Sequence, residues 1–227
     1  MDIRFLGQAC FEISDGGTRV LTDPFLKPNN PASPASADEL DPNVIVLSHG
    51  HADHLADAVD IAKRTGAQCI ALVELANWLG EQGVENTSDP NLGGTVEFDG
   101  GWVKLVQAFH TNETPDGTAI GQCAGMVINV GGVTVYHAGD TCLFGDMQLI
   151  ARGTPIDVAL LPIGGHYTMD RHDAAIAAEL VGAKTVIPMH YNTFPPIEAD
   201  AEAFKSDVES NTGSAVVILE PGETHTA

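Results

Sequence analysis

The sequence predicts an α/β fold, and two observations support that prediction. Short apolar runs rich in Val and Ile, the pattern of strands buried on both faces, alternate with segments whose apolar residues recur at helical spacing. Five apolar runs end in residues able to bind a metal, namely His49 with His51, His110, Asp140, His166 and His190. If these strands lie side by side, their ends gather at one edge of a sheet, where open α/β structures place their functional sites.

The first half of the chain predicts a β-meander followed by alternating strands and helices. The meander ends at Asp23, before a surface loop at 28–37 that is rich in Pro, Ala, Ser and Asn; loops of this length are often functional, and its role stays open. Gly66 suits the C-terminal cap of the helix that follows the central polar cluster. The predicted strands are 3–6, 10–14, 19–21, 44–47 and 68–73, and the predicted helices are 55–66 and 74–80.

The second half repeats this alternation. Residues 86–94 are rich in turn-forming types, residues 111–121 form a polar loop, and Gly131-Gly132 between two apolar runs is a strong hairpin signal. The predicted strands are 102–109, 124–130, 133–136, 155–161, 185–188 and 215–219, and the predicted helices are 170–181 and 199–210.

The segment 49–54, His-Gly-His-Ala-Asp-His, lies between the end of a strand and the start of a helix. The imidazoles of His49 and His51 are two residues apart and can converge, whereas Asp53 and His54 can point at a neighbouring position. Such nitrogen and oxygen ligands suit Zn²⁺, and also Mn²⁺, Fe or Ni²⁺. The alternative is a solvated polar turn, but the motif arises by chance in only about one in a thousand chains of this length. The segment therefore predicts two adjacent metal positions.

Length and charge restrict the partners of the protein. The 227 residues suit one domain over 1–227, since no linker or low-complexity tract divides them. The net charge is −21, with 10 basic and 31 acidic residues. Nucleic acids and anionic membranes require a basic surface, so we expect neither as a partner and a small-molecule substrate instead. The oligomeric state stays open, a homo-oligomer included.

The cysteines and the N-terminal residues indicate a cytoplasmic protein. Cys10, Cys69, Cys123 and Cys142 are widely spaced, which predicts reduced and buried thiols, and we expect Cys142 to be a small core residue. The N-terminal residues contain no apolar segment of signal-peptide length, and no later run is long enough to span a membrane.

The ordered set of ligand-type residues resembles the metallo-β-lactamase superfamily. The set consists of His-x-His-x-Asp-His at 49–54, then His110, Asp140 within Ala-Gly-Asp-Thr, and His190. This resemblance implies a four-layer αβ/βα sandwich, with two mixed β-sheets face to face and helices on the outside. It also implies a first metal bound by His49, His51 and His110, a second bound by Asp53, His54 and His190, and Asp140 bridging both.

Two further segments narrow this resemblance. Residues 161–170, Leu-Pro-Ile-Gly-Gly-His-Tyr-Thr-Met-Asp, and 188–195, Pro-Met-His-Tyr-Asn-Thr-Phe-Pro, look like a branch of uncharacterised metal-dependent hydrolases similar to the ascorbate-6-phosphate lactonases. The expected function is dinuclear metal-dependent hydrolysis, in which a metal-bound hydroxide attacks a small ester-like substrate, a lactone first and a phosphodiester second. The alternatives are a non-catalytic, metal-stabilised binding protein and a di-iron redox protein. Redox relatives carry a glutamate where His51 stands, which disfavours the last.

Within that function, further residues have expected catalytic or substrate-binding roles. Asp53 orients the hydroxide through the carboxylate oxygen that does not bind metal. His166 donates to the oxyanion or protonates the leaving group, and the alternative is a structural histidine. Tyr167, Asn192 and Thr193 flank ligand positions, so we expect them to line the substrate pocket.

Four residues have expected supporting or neutral roles. Asp23 is a candidate hydrogen-bond acceptor for a metal-bound histidine, although an aspartate in a turn before proline is common without such a role. His137 is expected to be structural. His172 and His225 are expected to be solvated, His225 in a polar tail.

Overall fold

The computed structural model describes all residues 1–227 and contains fourteen strands and six α-helices. The strands are β1 (Asp2–Gly7), β2 (Cys10–Asp15), β3 (Thr18–Thr22), β4 (Val44–Val46), β5 (Gln68–Ile70), β6 (Thr87–Ser88), β7 (Thr95–Phe98), β8 (Gly101–Gln107), β9 (Ala124–Val130), β10 (Val133–His137), β11 (Val158–Pro162), β12 (Thr185–Met189), β13 (Ala215–Val216) and β14 (Thr224–Thr226). The helices are α1 (Ala52–Leu55), α2 (Ala58–Thr65), α3 (Val73–Glu81), α4 (Met147–Gly153), α5 (Arg171–Val181) and α6 (Ala201–Asn211). None of these helices has the length and apolar character needed to cross a membrane.

The strands form two seven-stranded sheets of mixed direction. The first has the order β14-β1-β2-β3-β4-β5-β6, and the second has the order β13-β12-β11-β10-β9-β8-β7. Strands β3 to β6 are parallel to one another, as are β10 to β13. Because β8 and β10 are both antiparallel to β9, they point the same way. The carboxyl ends of β8, β10, β11 and β12 therefore lie at one edge of the second sheet.

Alternation of apolar side chains along the buried strands produces four layers. In β4, Val44 and Val46 join a central core made by both sheets, while Ile45 packs with side chains of α2 and α3. In β11, Leu160 joins the central core, while Leu161 packs with side chains of α4, α5 and α6. The sheets therefore face each other and the helices cover their outer faces, which confirms the predicted αβ/βα sandwich.

Two of the predicted elements differ from the structure. The single helix expected at 55–66 is wrong, because the chain divides into α1 and α2 at Ala56 and Asp57. The backbone N–H of Asp57 donates to the Pro24 carbonyl at 3.1 Å, and its carboxylate accepts from the Leu26 N–H at 2.7 Å. The division thus ties the helices to the loop after β3. The strand expected at 68–73 ends at Ile70, and α3 begins at Val73.

Other differences concern short elements that the pattern of apolar residues does not indicate. Strands β6, β7 and β14 and helix α4 were not predicted. His225 was expected in a solvated tail, but it pairs with Ile3 in the edge strand β14 and is half-buried. Cys142 was expected in the core and is exposed, because it lies in the loop after Asp140, whereas Cys10, Cys69 and Cys123 are buried as predicted.

Backbone strain is concentrated at one edge of the sandwich. Five non-glycine residues have positive φ values: Gln8 (57°), Asp23 (39°), His166 (53°), His190 (54°) and Asn192 (60°). They follow the carboxyl ends of β1, β3, β11 and β12 within a few residues. Since non-glycine residues adopt this conformation only where the surrounding structure imposes it, such strain marks the edge as a candidate site.

Candidate metal centre

Seven side chains meet at this edge and form two groups of possible metal ligands. Within each group the ligand atoms all lie within 4.8 Å of one another. The first group, called the first cluster below, is His49, His51, His110 and Asp140, and the second cluster is Asp53, His54 and His190. These are the seven residues expected from the sequence, so the prediction of two adjacent metal positions is confirmed.

Asp140 faces both clusters. Its Oδ2 atom lies 3.5 Å from His110 Nε2 and 3.9 Å from His49 Nε2, and its Oδ1 atom lies 3.3 Å from His54 Nε2. Oδ2 also lies 3.2 Å from His190 Nε2, so Asp140 stands between the clusters and has the placement expected of a bridging ligand.

Asp23 orients one histidine in each cluster. Its Oδ2 atom accepts from His54 Nδ1 at 2.9 Å and from the Ser48 hydroxyl at 2.6 Å, while its Oδ1 accepts from the Ser48 N–H at 2.8 Å. Because the Ser48 hydroxyl donates to Asp23, it accepts from His49 Nδ1 at 2.9 Å. Both histidines therefore donate through Nδ1 and direct Nε2 at the metal positions. The expected role of Asp23 is confirmed, and it extends to both clusters.

The glycine between His49 and His51 lies against the loop at 111–121. Its N–H donates to Asn112 Oδ1 at 2.9 Å, and a Cβ at Gly50 would lie 2.5 Å from Ile120 Cδ1. Only glycine fits this close approach. The contact fixes the turn, in which His49 Nε2 and His51 Nδ1 are 3.0 Å apart.

His110 and Asp140 are connected through hydrogen bonds between the residues that flank them. The Phe109 N–H, next to His110, donates to Thr141 Oγ1 at 3.1 Å, and the Cys142 N–H donates to the Phe109 carbonyl at 3.2 Å. These two bonds connect the segment after β8 to the segment after β10, so His110 and Asp140 are positioned as a pair.

Gln8 supports the second cluster and was missed by the sequence analysis. Its side-chain Nε2 donates to Asp53 Oδ2 at 2.8 Å, and its main-chain carbonyl accepts from the His190 N–H at 2.8 Å. Gln8 is only 1% exposed. It follows β1, which points the same way as β3 and β4 because both β1 and β3 are antiparallel to β2. Its place at a strand end was therefore a signal in the sequence, whereas its contact with Asp53 was not.

The histidines of the first cluster favour the neutral form. Burial is the largest cause that lowers the pKa of each of these three side chains. For His49 the nearby His54 adds to this effect, whereas the Asp140 carboxylate opposes it. The metal-free first cluster thus presents imidazole lone pairs.

The histidines of the second cluster favour the charged form. Burial opposes protonation of His54 and His190, but the carboxylates around them outweigh it. The pKa of His54 is raised well above its usual range, and that of His190 is raised to about 9. Burial alone would raise the pKa of the Asp53 and Asp140 carboxyl groups, but the nearby charged His54 and His190 lower both pKa values.

Unpartnered buried atoms show that these side chains fit metal ions. His54 Nε2, Asp140 Oδ1 and His190 Nε2 are buried and make no hydrogen bond. His190 Nε2 lies 3.2 Å from Asp140 Oδ2, but that contact does not have hydrogen-bond geometry. Buried polar atoms without partners are costly, and divalent cations would satisfy all three of these ligand-type atoms.

A cavity of about 510 Å³ opens onto both clusters. Besides the ligand residues, its wall contains aromatic, small apolar and hydroxyl side chains. The wall residues are Phe25, His51, Ala52, Asp53, His110, Thr111, Asp140, Tyr167, His190 and Phe194. The expected placement of Tyr167 is thus observed, whereas Phe25, Thr111 and Phe194 were missed.

Three other candidate residues do not line this cavity. His166 is exposed, and its ring centroid lies 4.5 Å from that of Tyr167. Asn192 is exposed, and its Oδ1 accepts from the Ala199 N–H at 2.9 Å, so it supports its own loop. Thr193 also lies outside the cavity wall. The roles assigned to these three residues stay predictions.

His137 and His172, which lie outside the two clusters, differ in burial. His137 is buried, donates through Nε2 to the Ala9 carbonyl at 2.8 Å and accepts at Nδ1 from the Gly139 N–H at 3.1 Å. Its structural role is therefore confirmed. The side chain of His172 is 67% exposed, as expected of a solvated residue.

Comparisons with known proteins agree with this geometry. Residues 2–190 match the family model of the beta-lactamase superfamily domain. A UPF0173 metal-dependent hydrolase from Methanopyrus kandleri is 48% identical over 229 residues, covering 99% of each chain, and one from Thermococcus onnurineus is 49% identical over 223 residues, covering 97% of each. The solved structure of Igni18, a metallo hydrolase from Ignicoccus hospitalis, matches with a TM-score of 0.89 and 38% identity, covering 99% of this chain and 97% of that chain.

Proposed function

Because the chain belongs to the UPF0173 metal-dependent hydrolase family of the beta-lactamase superfamily, we propose that it hydrolyses a small ester-like substrate at a two-metal centre. One observation carries this proposal: two clusters of ligands, both faced by Asp140, border a cavity of about 510 Å³. A cavity of this size matches those that bind small organic molecules.

Five imidazoles and two carboxylates would hold the two cations, with Zn²⁺ first and Mn²⁺, Fe or Ni²⁺ as alternatives. When bound, two such cations supply a nucleophile at neutral pH by lowering the pKa of water from about 15.7 to about 7, and they polarise the substrate oxygen. The rest of the catalytic work falls to side chains of this chain.

In this proposal, Asp53 orients the nucleophile. Gln8 fixes its Oδ2 atom from one side, and the same oxygen lies 3.4 Å from His190 Nε2. Its carboxylate lines the cavity, so Oδ1 accepts a hydrogen bond from the attacking oxygen. That oxygen bonds to the carbonyl carbon, the bond from this carbon to the leaving oxygen breaks, and the leaving oxygen takes a proton.

The charge of the cavity wall favours a lactone or carboxylic ester over a phosphorylated substrate. No Lys or Arg is among the wall residues, so a phosphate group away from the metals has no cationic partner. The likeness to ascorbate-6-phosphate lactonases stays a prediction, and the wall disfavours the substrate of those enzymes, because its phosphate would have no cationic partner. A phosphodiester that binds the metals directly is the second candidate.

The decisive experiment is a hydrolysis panel run on protein stripped of metal and reloaded with Zn²⁺ or Mn²⁺. We expect turnover of a neutral lactone and an aryl ester, weaker turnover of a phosphodiester, and loss of all three on chelation. A protein that binds two metals tightly and hydrolyses none of these compounds, nor a thioester, would be a non-catalytic binding protein. A visible spectrum with redox-active iron would instead support the di-iron alternative.

His166 is proposed to protonate the leaving group, and its neighbour Tyr167 lines the cavity. The change His166→Gln should lower turnover by about 10²-fold while both metals stay bound. His172→Gln, a change at an exposed histidine away from the cavity, is the matched control. Loss of a metal from His166→Gln would show that this residue is a ligand, and unchanged turnover would show that it is structural.

A further inference from the structure

Aromatic side chains line the part of the cavity beyond the metal ligands. Phe25 and Phe194 belong to loops after different strands, β3 and β12, yet their ring centroids are 6.3 Å apart and their planes are tilted by 41°. Rings at this distance touch each other, and Phe25, which is only 7% exposed, lies behind the half-buried Phe194; the two rings are called the aromatic patch below. Tyr167, which is 54% exposed, stands elsewhere on the same wall.

The aromatic patch is held in place by the loops around it. Next to Phe25, the Leu26 N–H donates to the buried carboxylate of Asp57 at 2.7 Å. Phe194 immediately precedes a 3₁₀ turn at Pro195–Ile197, in which two consecutive prolines restrict the backbone. A surface that is ordered before the ligand arrives loses little conformational entropy on binding, so the patch is suited to select a ligand by shape.

Apart from the metal positions, the cavity offers no cationic group to the aromatic patch. The chain has 10 Lys and Arg residues, and none of them lines the cavity. The anionic side chains of the wall are Asp53 and Asp140, and its histidines are metal ligands, so none of them offers a free cation to the patch in the metal-loaded protein. An anionic group placed on the patch would therefore lose its hydration without gaining a cationic partner, whereas a neutral apolar group would gain contact area.

We infer that the natural substrate is uncharged away from its scissile bond and places an apolar group, of about the size of a phenyl ring, on the surface formed by Phe25 and Phe194. This inference rests on the proposed function for the scissile bond, but the patch itself can be tested without catalysis. It narrows the substrate class from ester-like compounds in general to neutral esters or lactones with an aromatic or short alkyl substituent.

Matched esters test this inference on the metal-loaded protein. Phenyl acetate and 4-acetoxybenzoate share one scissile bond and differ by a carboxylate on the far side of the ring. After correction for their rates of base hydrolysis in the same buffer, we expect kcat/KM to be about tenfold or more higher for phenyl acetate. Equal values for the two esters would overturn the inference.

Two variants locate the effect on the patch. Phe194→Ala should lower kcat/KM for phenyl acetate by about tenfold and leave that for methyl acetate nearly unchanged, because only the phenyl group reaches the patch. Phe98→Ala removes a phenylalanine that is also half-buried but lies on strand β7, and it should change neither value. An equal loss on both esters in Phe194→Ala would show a general defect and overturn the inference.

A binding measurement separates this inference from the proposed function. Acetanilide and 4-acetamidobenzoate are the amide counterparts of the two esters, and their binding to the metal-loaded protein can be measured by saturation-transfer NMR. We expect acetanilide to bind about tenfold tighter and to lose this advantage in Phe194→Ala. That result without hydrolysis of any ester would refute the proposed function alone. Ester hydrolysis with no preference for the neutral amide would refute the inference alone.

Discussion

The two metal clusters are made from the same kinds of side chain but differ in protonation when no metal is bound. In the first cluster burial lowers the pKa of all three histidines, and His51 and His110 are only half-buried. In the second cluster carboxylates outweigh burial, and His54 and His190 favour the imidazolium form. The first cluster thus presents free lone pairs, whereas the second holds protons where a cation would sit.

The two clusters also differ in the residues that hold their ligands in position. The first cluster depends on Gly50 and the loop at 111–121, and it opens to the cavity. Asp23 supports both clusters, through His54 and through Ser48 to His49, whereas Gln8 supports only the second cluster by its hydrogen bond to Asp53. Clusters made of the same ligand types can therefore differ in the pH dependence of metal binding and in how strongly metal binding depends on the residues around them.

The largest effect is expected from the residue that both clusters share. Asp140→Asn removes the negative charge that faces His54, His49 and His110, so both metals should bind weakly and ester turnover should fall on the order of 10³-fold. Metal content after dialysis and the circular dichroism spectrum measure occupancy and folding separately. Asp146→Asn, at an exposed aspartate nearby, is the control. Two tightly bound metals in Asp140→Asn would show that Asp140 does not join the clusters.

Asp23 tests whether the clusters share their support. Asp23→Ala leaves His54 Nδ1 and both Ser48 donors without their acceptor, so we expect a loss of about 3 kcal/mol in the free energy of unfolding. Metal affinity should fall at both positions, by about 10- to 100-fold. Asp57→Ala is matched, because that buried carboxylate accepts from Leu26 rather than from a histidine. It should destabilise the fold and spare metal affinity, and an equal loss of metal in both variants would contradict the role of Asp23.

Changing the pH should separate the two clusters in the wild-type protein. His190, with a pKa of about 9, must lose a proton to bind metal, and this proton alone should lower affinity at the second position by about 100-fold from pH 9 to pH 7, with the proton on His54 adding to the fall. The first position should change little over this range, because its histidines already favour the neutral form.

The raised pKa of His190 also stabilises the metal-free protein at pH values below the unfolded value near 6.5, and this contribution is lost as the pH rises through about 9.

Calorimetric titration of metal in buffers with different ionisation enthalpies counts the protons released at each metal position. Equal proton release at the two positions would contradict the asymmetry.

The smallest effect is expected from Gln8, which acts on the second cluster alone. Gln8→Ala removes the donor to Asp53 Oδ2, so affinity for the second metal should fall by about tenfold while the first metal stays bound. Gln68→Ala is the matched control, because Gln68 donates to Ser88 in the first sheet and does not contact the clusters. Stepwise metal titration distinguishes the two positions. Loss of the first metal in Gln8→Ala would show that Gln8 does not act on the second cluster alone.

Local sequence determined the ligand set because each ligand type follows an apolar strand. The segment 49–54 presents four ligands within one turn, and the later ones stand where β8, β10 and β12 end. Strand ends and ligand chemistry are both readable from neighbouring residues, so the edge and the metal-binding class were predictable. The same logic predicted most of the strands, since alternation and β-branched runs are local properties, whereas their division into two sheets was implied only by the family resemblance.

Tertiary structure alone decided the features that depend on which loops meet. Gln8 contacts Asp53, forty-five positions away, and Phe25 touches Phe194 across two loops. The protonation of His54 and His190 arises from carboxylates contributed by distant strand ends, and β14 exists only because it pairs with β1. Sequence determines what each segment can do locally, whereas burial, charge and contact between distant segments are set by the packing of the whole chain.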